Sequence, residues 1–258
     1  MAHPNFLLNT RTLVIGGSSG IGFAVASGAL SSGSKVHITS VTAEKLATKI
    51  TQLQSLYPAA HVSGSAADLS DTDTLEANLQ SVLDAAVKDT GGPLDHIVYT
   101  AAGGISSVKL VEITATKALS AFTVRYLGPL LLGKLVAANP GRYLNPAASS
   151  SLTLTSGILG HRPHPGVFTF GASESVEPLT RSLAVQLAPI RVNVIIPGAV
   201  RTELLDKISG GNPDMWKERT LTKEVGSAEG AAEAYLFCMR SALATGQGFI
   251  IDNGALMA

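Results

Sequence analysis

Net charge is the first thing this 258-residue chain lacks: 19 lysines and arginines stand against 19 aspartates and glutamates. No long-range field draws it toward nucleic acid or an anionic membrane, so the expected partner is a small molecule. Cysteine is nearly absent. Cys238 stands alone and has no partner for an internal disulfide; it suits a reducing compartment and reads as a small buried hydrophobe. No uninterrupted apolar run approaches the length that crosses a bilayer, and Met1 to Thr12 has no basic stretch followed by a long apolar core. The expectation is a soluble cytoplasmic protein. Repeats, low-complexity tracts and dividing linkers are missing too. The chain is long for one average domain but within the range of a single α/β domain, here taken as residues 1–258.

What is present is an alternation of short β-rich apolar runs with longer segments of helical periodicity. Thr12 to Ile15, Lys35 to Thr39, His61 to Ser65, His96 to Tyr99, Ser151 to Thr155, Arg191 to Ile195 and Phe249 to Ile251 read as strands. Ile21 to Ser31, Leu75 to Lys88, Ala115 to Ala138, Gly171 to Leu187 and Ala228 to Arg240 read as helices. This pattern predicts an α/β fold, a Rossmann-type doubly wound parallel sheet of seven strands with helices on both faces. Two long irregular stretches, Gly160 to Gly166 and Thr202 to Val225, follow strand ends, where open α/β sheets bind their ligands. The second, about 202–225, is expected to form a substrate lid.

Gly16-Gly17-Ser18-Ser19-Gly20-Ile21-Gly22 lies between the first strand and the first helix. There glycine allows a tight turn and close backbone approach, and a helix N-terminus offers unpaired N–H groups to a pyrophosphate. At the end of the second strand stand Thr39-Ser40-Val41-Thr42. No carboxylate is present there to bind a ribose 2′-hydroxyl and repel a 2′-phosphate, which favours NADP(H) with Ser40 and Thr42 as phosphate donors.

These residues resemble the short-chain dehydrogenase/reductase superfamily nearly end to end, with Gly16 read in the place of the threonine of its glycine motif. Asp68 matches the family's adenine-binding aspartate, and Thr100-Ala101-Ala102-Gly103 stands where the family has Asn-Asn-Ala-Gly. Pro197-Gly198-Ala199-Val200-Arg201-Thr202 matches the segment at the nicotinamide end, and Gly246-Gln247 with Asp252-Asn253-Gly254 matches the family's C-terminal pattern. The resemblance implies cofactor contacts from Gly16, Ser18, Ser19, Ile21, Ser40, Thr42, Asp68 and Leu69, then from Ala101, Ala102, Gly103, Pro197, Gly198, Val200 and Thr202. It also implies a homodimer or homotetramer built on the two long helices, and no metal.

The family's catalytic set is altered. Its tyrosine gives a proton to the substrate oxygen and its lysine binds the ribose; those two positions hold Phe170 and Glu174. The serine survives as Ser156 and the asparagine position holds Arg125. Phe170 cannot donate a proton, and general acid-base catalysis is worth roughly 10²–10⁴-fold, so ordinary ketone reduction should be poor. On the expected helix Glu174 shares a face with Phe170. Three readings of it stand open: an acceptor for ribose hydroxyls that favours the cationic nicotinamide, a carboxyl protonated by burial, or a side chain turned outward or paired with Arg125.

A hydride acceptor that is already cationic, such as an iminium, needs no proton on the accepting atom. The chain accordingly resembles more narrowly the atypical fungal reductases of the malbrancheamide and paraherquamide pathways, which lack the same pair, reduce an iminium-type intermediate with NADPH and guide a Diels-Alder closure. Arg125 and the run ending at Ser156-Gly157 carry over; in Pro163-His164-Pro165-Gly166-Val167, His164 replaces their aspartate and Val167 their tryptophan. Histidine acts as acid or base near neutral pH, and His161 is a weaker candidate of the same type. The leading expectation is an NADP(H)-binding enzyme of secondary metabolism acting on a natural-product intermediate, by reduction of a C=N or C=C bond or by cyclisation or isomerisation. A catalytically dead cofactor-sensing or partner-binding member is the alternative. An alcohol dehydrogenase using Glu174 as its acid is the third.

Overall fold

The computed structural model describes residues 4–103, 110–163 and 171–258. In chain order the elements are β1 (Arg11–Ile15), α1 (Gly20–Ser31), β2 (Lys35–Ser40), α2 (Ala43–Leu56), β3 (Val62–Ala66), α3 (Leu75–Thr90), β4 (His96–Tyr99) and α4 (Ala115–Phe122). There follow α5 (Gly128–Ala138), β5 (Ser151–Thr155), α6 (Val176–Gln186), β6 (Arg191–Pro197), α7 (Glu203–Ile208), α8 (Ala228–Arg240) and β7 (Gly248–Ile251). The strands form one sheet of order β3-β2-β1-β4-β5-β6-β7, with every pair parallel. The sequence direction reverses between β1 and β4, and their carboxyl ends open the crevice in which such sheets bind ligands.

Alternation along the strands divides the core in two. Leu13, Ile15, Ile97, Tyr99, Leu152 and Val192 pack on one face with α3, α5 and α6, while Val14, Val36, Ile38, Val98 and Ile195 pack on the other with α1, α2 and α8. Cys238 is fully buried in the second core and burial pushes its thiol up to about 12, as suits a small hydrophobe. Arg191, at the start of β6, is a buried cation whose guanidinium donates to the carbonyls of Ala148 (2.6 Å), Cys238 (2.5 Å) and Met239 (3.1 Å), so it ties the sheet to the end of α8.

Four sequence expectations change. The helix expected over Ala115 to Ala138 is interrupted by a π-helical turn at Thr123–Leu127. Pro129 has no N–H to continue the ladder, and the Gly128 N–H reaches back to the Thr123 carbonyl instead. The Tyr99 hydroxyl then donates to the Val124 carbonyl at 2.7 Å. Gly128 makes this approach possible, because a Cβ there would stand 2.1 Å from the Tyr99 oxygen. The whole 24-residue run is long and apolar enough to cross a membrane by composition, yet it carries Arg125 within the turn and lays α5 against α3 and α6 as a core helix.

The helix expected from Gly171 begins at Val176, with residues 171–175 forming turns. Pro178 sets this limit, since it cannot donate to the Glu174 carbonyl four residues back. Glu174 therefore does not lie on a helical face. α2, which the sequence reading leaves out, is capped by the Thr42 hydroxyl and buries Leu46 and Leu53. The segment expected to be irregular between Thr202 and Val225 contains α7 and a 3₁₀ helix at Pro213–Arg219.

Candidate active site

The nucleotide loop leaves β1 at Gly16, whose φ of +87° and closeness to β4, with a Cβ position 2.6 Å from the Ala101 nitrogen, admit glycine alone. Gly16 is thus the first glycine of the motif, and the threonine place belongs to fully buried Ile15, which corrects the sequence reading. α1 starts at Gly20 with Ser19 as N-cap; no side chain caps it and no carboxylate sits in its first turn, so its N–H groups and dipole are available to an anion.

One cavity of about 1140 Å³ runs from this loop along the carboxyl ends of the strands. It is lined by every residue the sequence assigns to the cofactor, namely Gly16, Ser18, Ser19, Ile21, Ser40, Thr42, Asp68, Leu69, Ala101, Ala102, Gly103, Pro197, Gly198, Val200 and Thr202. The Ser70 hydroxyl, and after it the Ser70 N–H at 2.9 Å, hold the Asp68 carboxyl below its ordinary value. Ser40 is buried and its Oγ has no partner among the described residues, as suits a ligand-facing hydroxyl. Thr42 accepts from the Lys45 N–H at 3.3 Å, and Lys45, not singled out by sequence, lines the same end with its Nζ 3.4 Å from Glu203. The residues present fit a dinucleotide.

At the other end Arg125, Ser156, Ser173 and Glu174 line the cavity. Arg125 sits on the π-turn, its Nη1 donating to Ser173 Oγ at 2.8 Å while its buried Nη2 has no hydrogen-bond partner among the described residues. Burial pulls the guanidinium below its ordinary value, and the Glu174 carboxylate and the Tyr99 phenol act against that shift. Glu174 thus interacts with Arg125 and packs over Gly160. Ser156 Oγ donates to Glu177 Oε1 at 2.9 Å, and His161 Nε2 lies 3.0 Å from the same oxygen. Neither Glu177 nor its link to Ser156 is expected from sequence. Of the remaining expected residues, His164 and Phe170 lie outside the described residues. All five tyrosines of the chain are described, and none lines the cavity.

Trp216 and Arg219, from the 3₁₀ helix, and Leu205, from α7, also line the cavity, which brings the Thr202 to Val225 segment to the site.

The comparisons with known proteins agree with this geometry. The chain is 37% identical over 253 residues to the short-chain dehydrogenase/reductase ATR9 of Stachybotrys chlorohalonatus, covering 95% of this chain and 96% of that protein. It is 34% identical over 261 residues to the short-chain dehydrogenase/reductase malC of Malbranchea aurantiaca, covering 98% and 96%. The solved structure of that MalC reductase/Diels-Alderase superimposes with a TM-score of 0.90 over 98% of this chain and 99% of the other. A short-chain dehydrogenase of Burkholderia cenocepacia in complex with NADP, 25% identical, superimposes with a TM-score of 0.83 over 96% of this chain and 98% of the other. The family described as the SDR-like Rossmann domain matches residues 3–258. The chain belongs to the short-chain dehydrogenase/reductase family, and is an enzyme of that family built around a nicotinamide cofactor.

Proposed function

We propose that this protein is an NADP(H)-dependent enzyme of natural-product biosynthesis that reduces an activated C=N or C=C bond of a small intermediate, or guides its non-redox cyclisation or isomerisation. The observation that carries the reading is the polar set of the chemical end: Arg125 and Ser156 are in the wall, and no tyrosine lines the cavity. A ketone oxygen there finds no phenol to protonate it, whereas a cationic acceptor needs none. The fungal relatives support the same reading, one of them being a reductase/Diels-Alderase.

When bound, NADPH supplies hydride. The α1 N-terminus would hold the pyrophosphate and Asp68 with Leu69 the adenine, while Ala101 to Gly103 and Pro197 to Thr202 would flank the nicotinamide half. The unpartnered Ser40 hydroxyl, the α2 N-terminus at Thr42 and the Lys45 ammonium would take the 2′-phosphate, which favours NADP(H) over NAD(H). Arg125 would stabilise negative charge developing on the substrate. Glu174 would tune that cation, and His164 would move a proton. The segment 202–225 would act as a lid. The protein would work in the cytoplasm as a homodimer or homotetramer, joined through the helices that expose Leu119 and Val185.

The test is to mix the protein and NADPH with candidate pathway intermediates and follow product by mass spectrometry. Reduced, cyclised or isomerised product supports the reading, and NADPH binding without product from any of the intermediates counts against it. His164→Ala and Arg125→Ala should each lower turnover with NADPH binding intact; full activity in both sinks the assignment of roles.

A further inference from the structure

Ser156 stands in the cavity wall with its hydroxyl hydrogen already committed to Glu177, 2.9 Å away. Glu177 lies in the first turn of α6 with 18% of its side chain exposed. Its carboxylate offers only lone pairs, so His161, whose Nε2 is 3.0 and 3.1 Å from the two oxygens, must carry its hydrogen toward it. Two donors therefore hold the carboxylate, one from the cavity side and one from the surface side, where His161 is 37% exposed.

The consequence is a reversal of polarity. A serine that gives its hydrogen to a substrate carbonyl must have that hydrogen free, and here a charged acceptor takes it; hydrogen bonds to ionised groups are about twice as strong as neutral ones. Toward the cavity Ser156 is left with lone pairs. The charged groups nearby are Glu174, which interacts with Arg125, and Arg162, whose guanidinium donates to the Ala255 carbonyl. Among the described residues neither Arg125 nor Arg162 hydrogen-bonds Glu177 in competition with the serine.

We infer that Ser156 is a hydrogen-bond acceptor for the substrate, and that the site selects a molecule presenting a donor: a protonated imine or amine nitrogen, or a hydroxyl, in place of a bare ketone. Glu177 and His161 are positioning residues that impose this polarity. The inference rests on the cavity being the substrate chamber of an NADP(H)-binding enzyme, and it adds the substrate's chemical class.

The experiment uses the full chain saturated with NADP⁺ and two probes of matched shape, 1,2,3,4-tetrahydroisoquinoline, an ammonium N–H donor, and 2-tetralone, a carbonyl acceptor, each titrated by calorimetry. The amine should bind about tenfold more tightly, the worth of one hydrogen bond to a charged group. In Glu177→Gln the amide N–H can donate to Ser156 Oγ and turn the hydroxyl hydrogen toward the cavity, so the preference should invert. Ser156→Ala should shrink it with the Glu177 charge still in place, and Glu177→Asp should keep its sign. A side chain serving only to hold the fold would change both affinities together. Tighter binding of the ketone by the unaltered protein, a preference unchanged in Glu177→Gln, or no heat from either probe would overturn the inference. Loss of NADP⁺ binding by the unaltered protein would instead overturn the proposed function itself.

Discussion

Among the described residues Arg125 combines a buried guanidinium, one hydrogen bond to Ser173 and an unpartnered Nη2 in a cavity wall. Burying such a group without full hydrogen bonding opposes folding, so its presence is best understood through what it meets in the cavity. Arg125→Ala should lower turnover about 10²-fold, the usual cost of losing one preorganised donor, while the unfolding midpoint stays or rises. Lys45→Ala should weaken NADPH binding about tenfold and leave NADH nearly unchanged, as measured by fluorescence titration with both cofactors. Arg125 and Ser156 are legible in sequence because they occupy ordered family motifs. Lys45 and Glu177 are not: Lys45 faces the site only because Thr42 starts α2, and Glu177 reaches Ser156 only because α6 begins at Val176.

Among the elements, the interruption between α4 and α5 has the clearest energetic signature. Tyr99 is buried and its hydroxyl supplies the hydrogen bond that the proline-broken ladder denies the Val124 carbonyl. Tyr99→Phe keeps the ring and strands that carbonyl, so it should cost about 1–3 kcal/mol in urea denaturation. It should also alter turnover, because Arg125 is the next residue. Strands were legible nearly to the residue, since buried parallel strands are short, β-branched and bounded by turns. Helix ends were less so. Apolar periodicity continues through Thr123–Leu127 and does not register that Pro129 changes the hydrogen-bonding pattern, and Pro178 places Glu174 in a turn where the 3.6-residue repeat reads on as helix.

For the whole molecule, the doubly wound sheet of seven parallel strands followed from the alternation of elements, whereas the polar interior did not. His37 and His96 are buried in the sheet, His37 between Ser63 and Ser65 and His96 against Ser151, and burial holds them down to about 4 and about 3 from an ordinary 6.5. Asp89 acts against the shift of His37. Between those values and 6.5 the unfolded chain binds protons that the folded chain refuses. The stability these two histidines contribute is therefore present above pH 6.5 and is lost as pH falls toward about 4 for His37 and about 3 for His96. Urea midpoints should record a loss of about 2–4 kcal/mol between pH 7 and 5, with His96→Gln flattening the slope.

The contact between Lys45 of α2 and Glu203 of α7 has a kinetic consequence. An exposed ion pair of this kind adds little to stability, but a 2′-phosphate held by Lys45 would compete with Glu203 and release one tether between α2 and α7. Cofactor would then load first and ease entry of the second ligand. Initial-rate patterns should show compulsory order with NADPH leading, and Glu203→Gln should relax that order toward random addition.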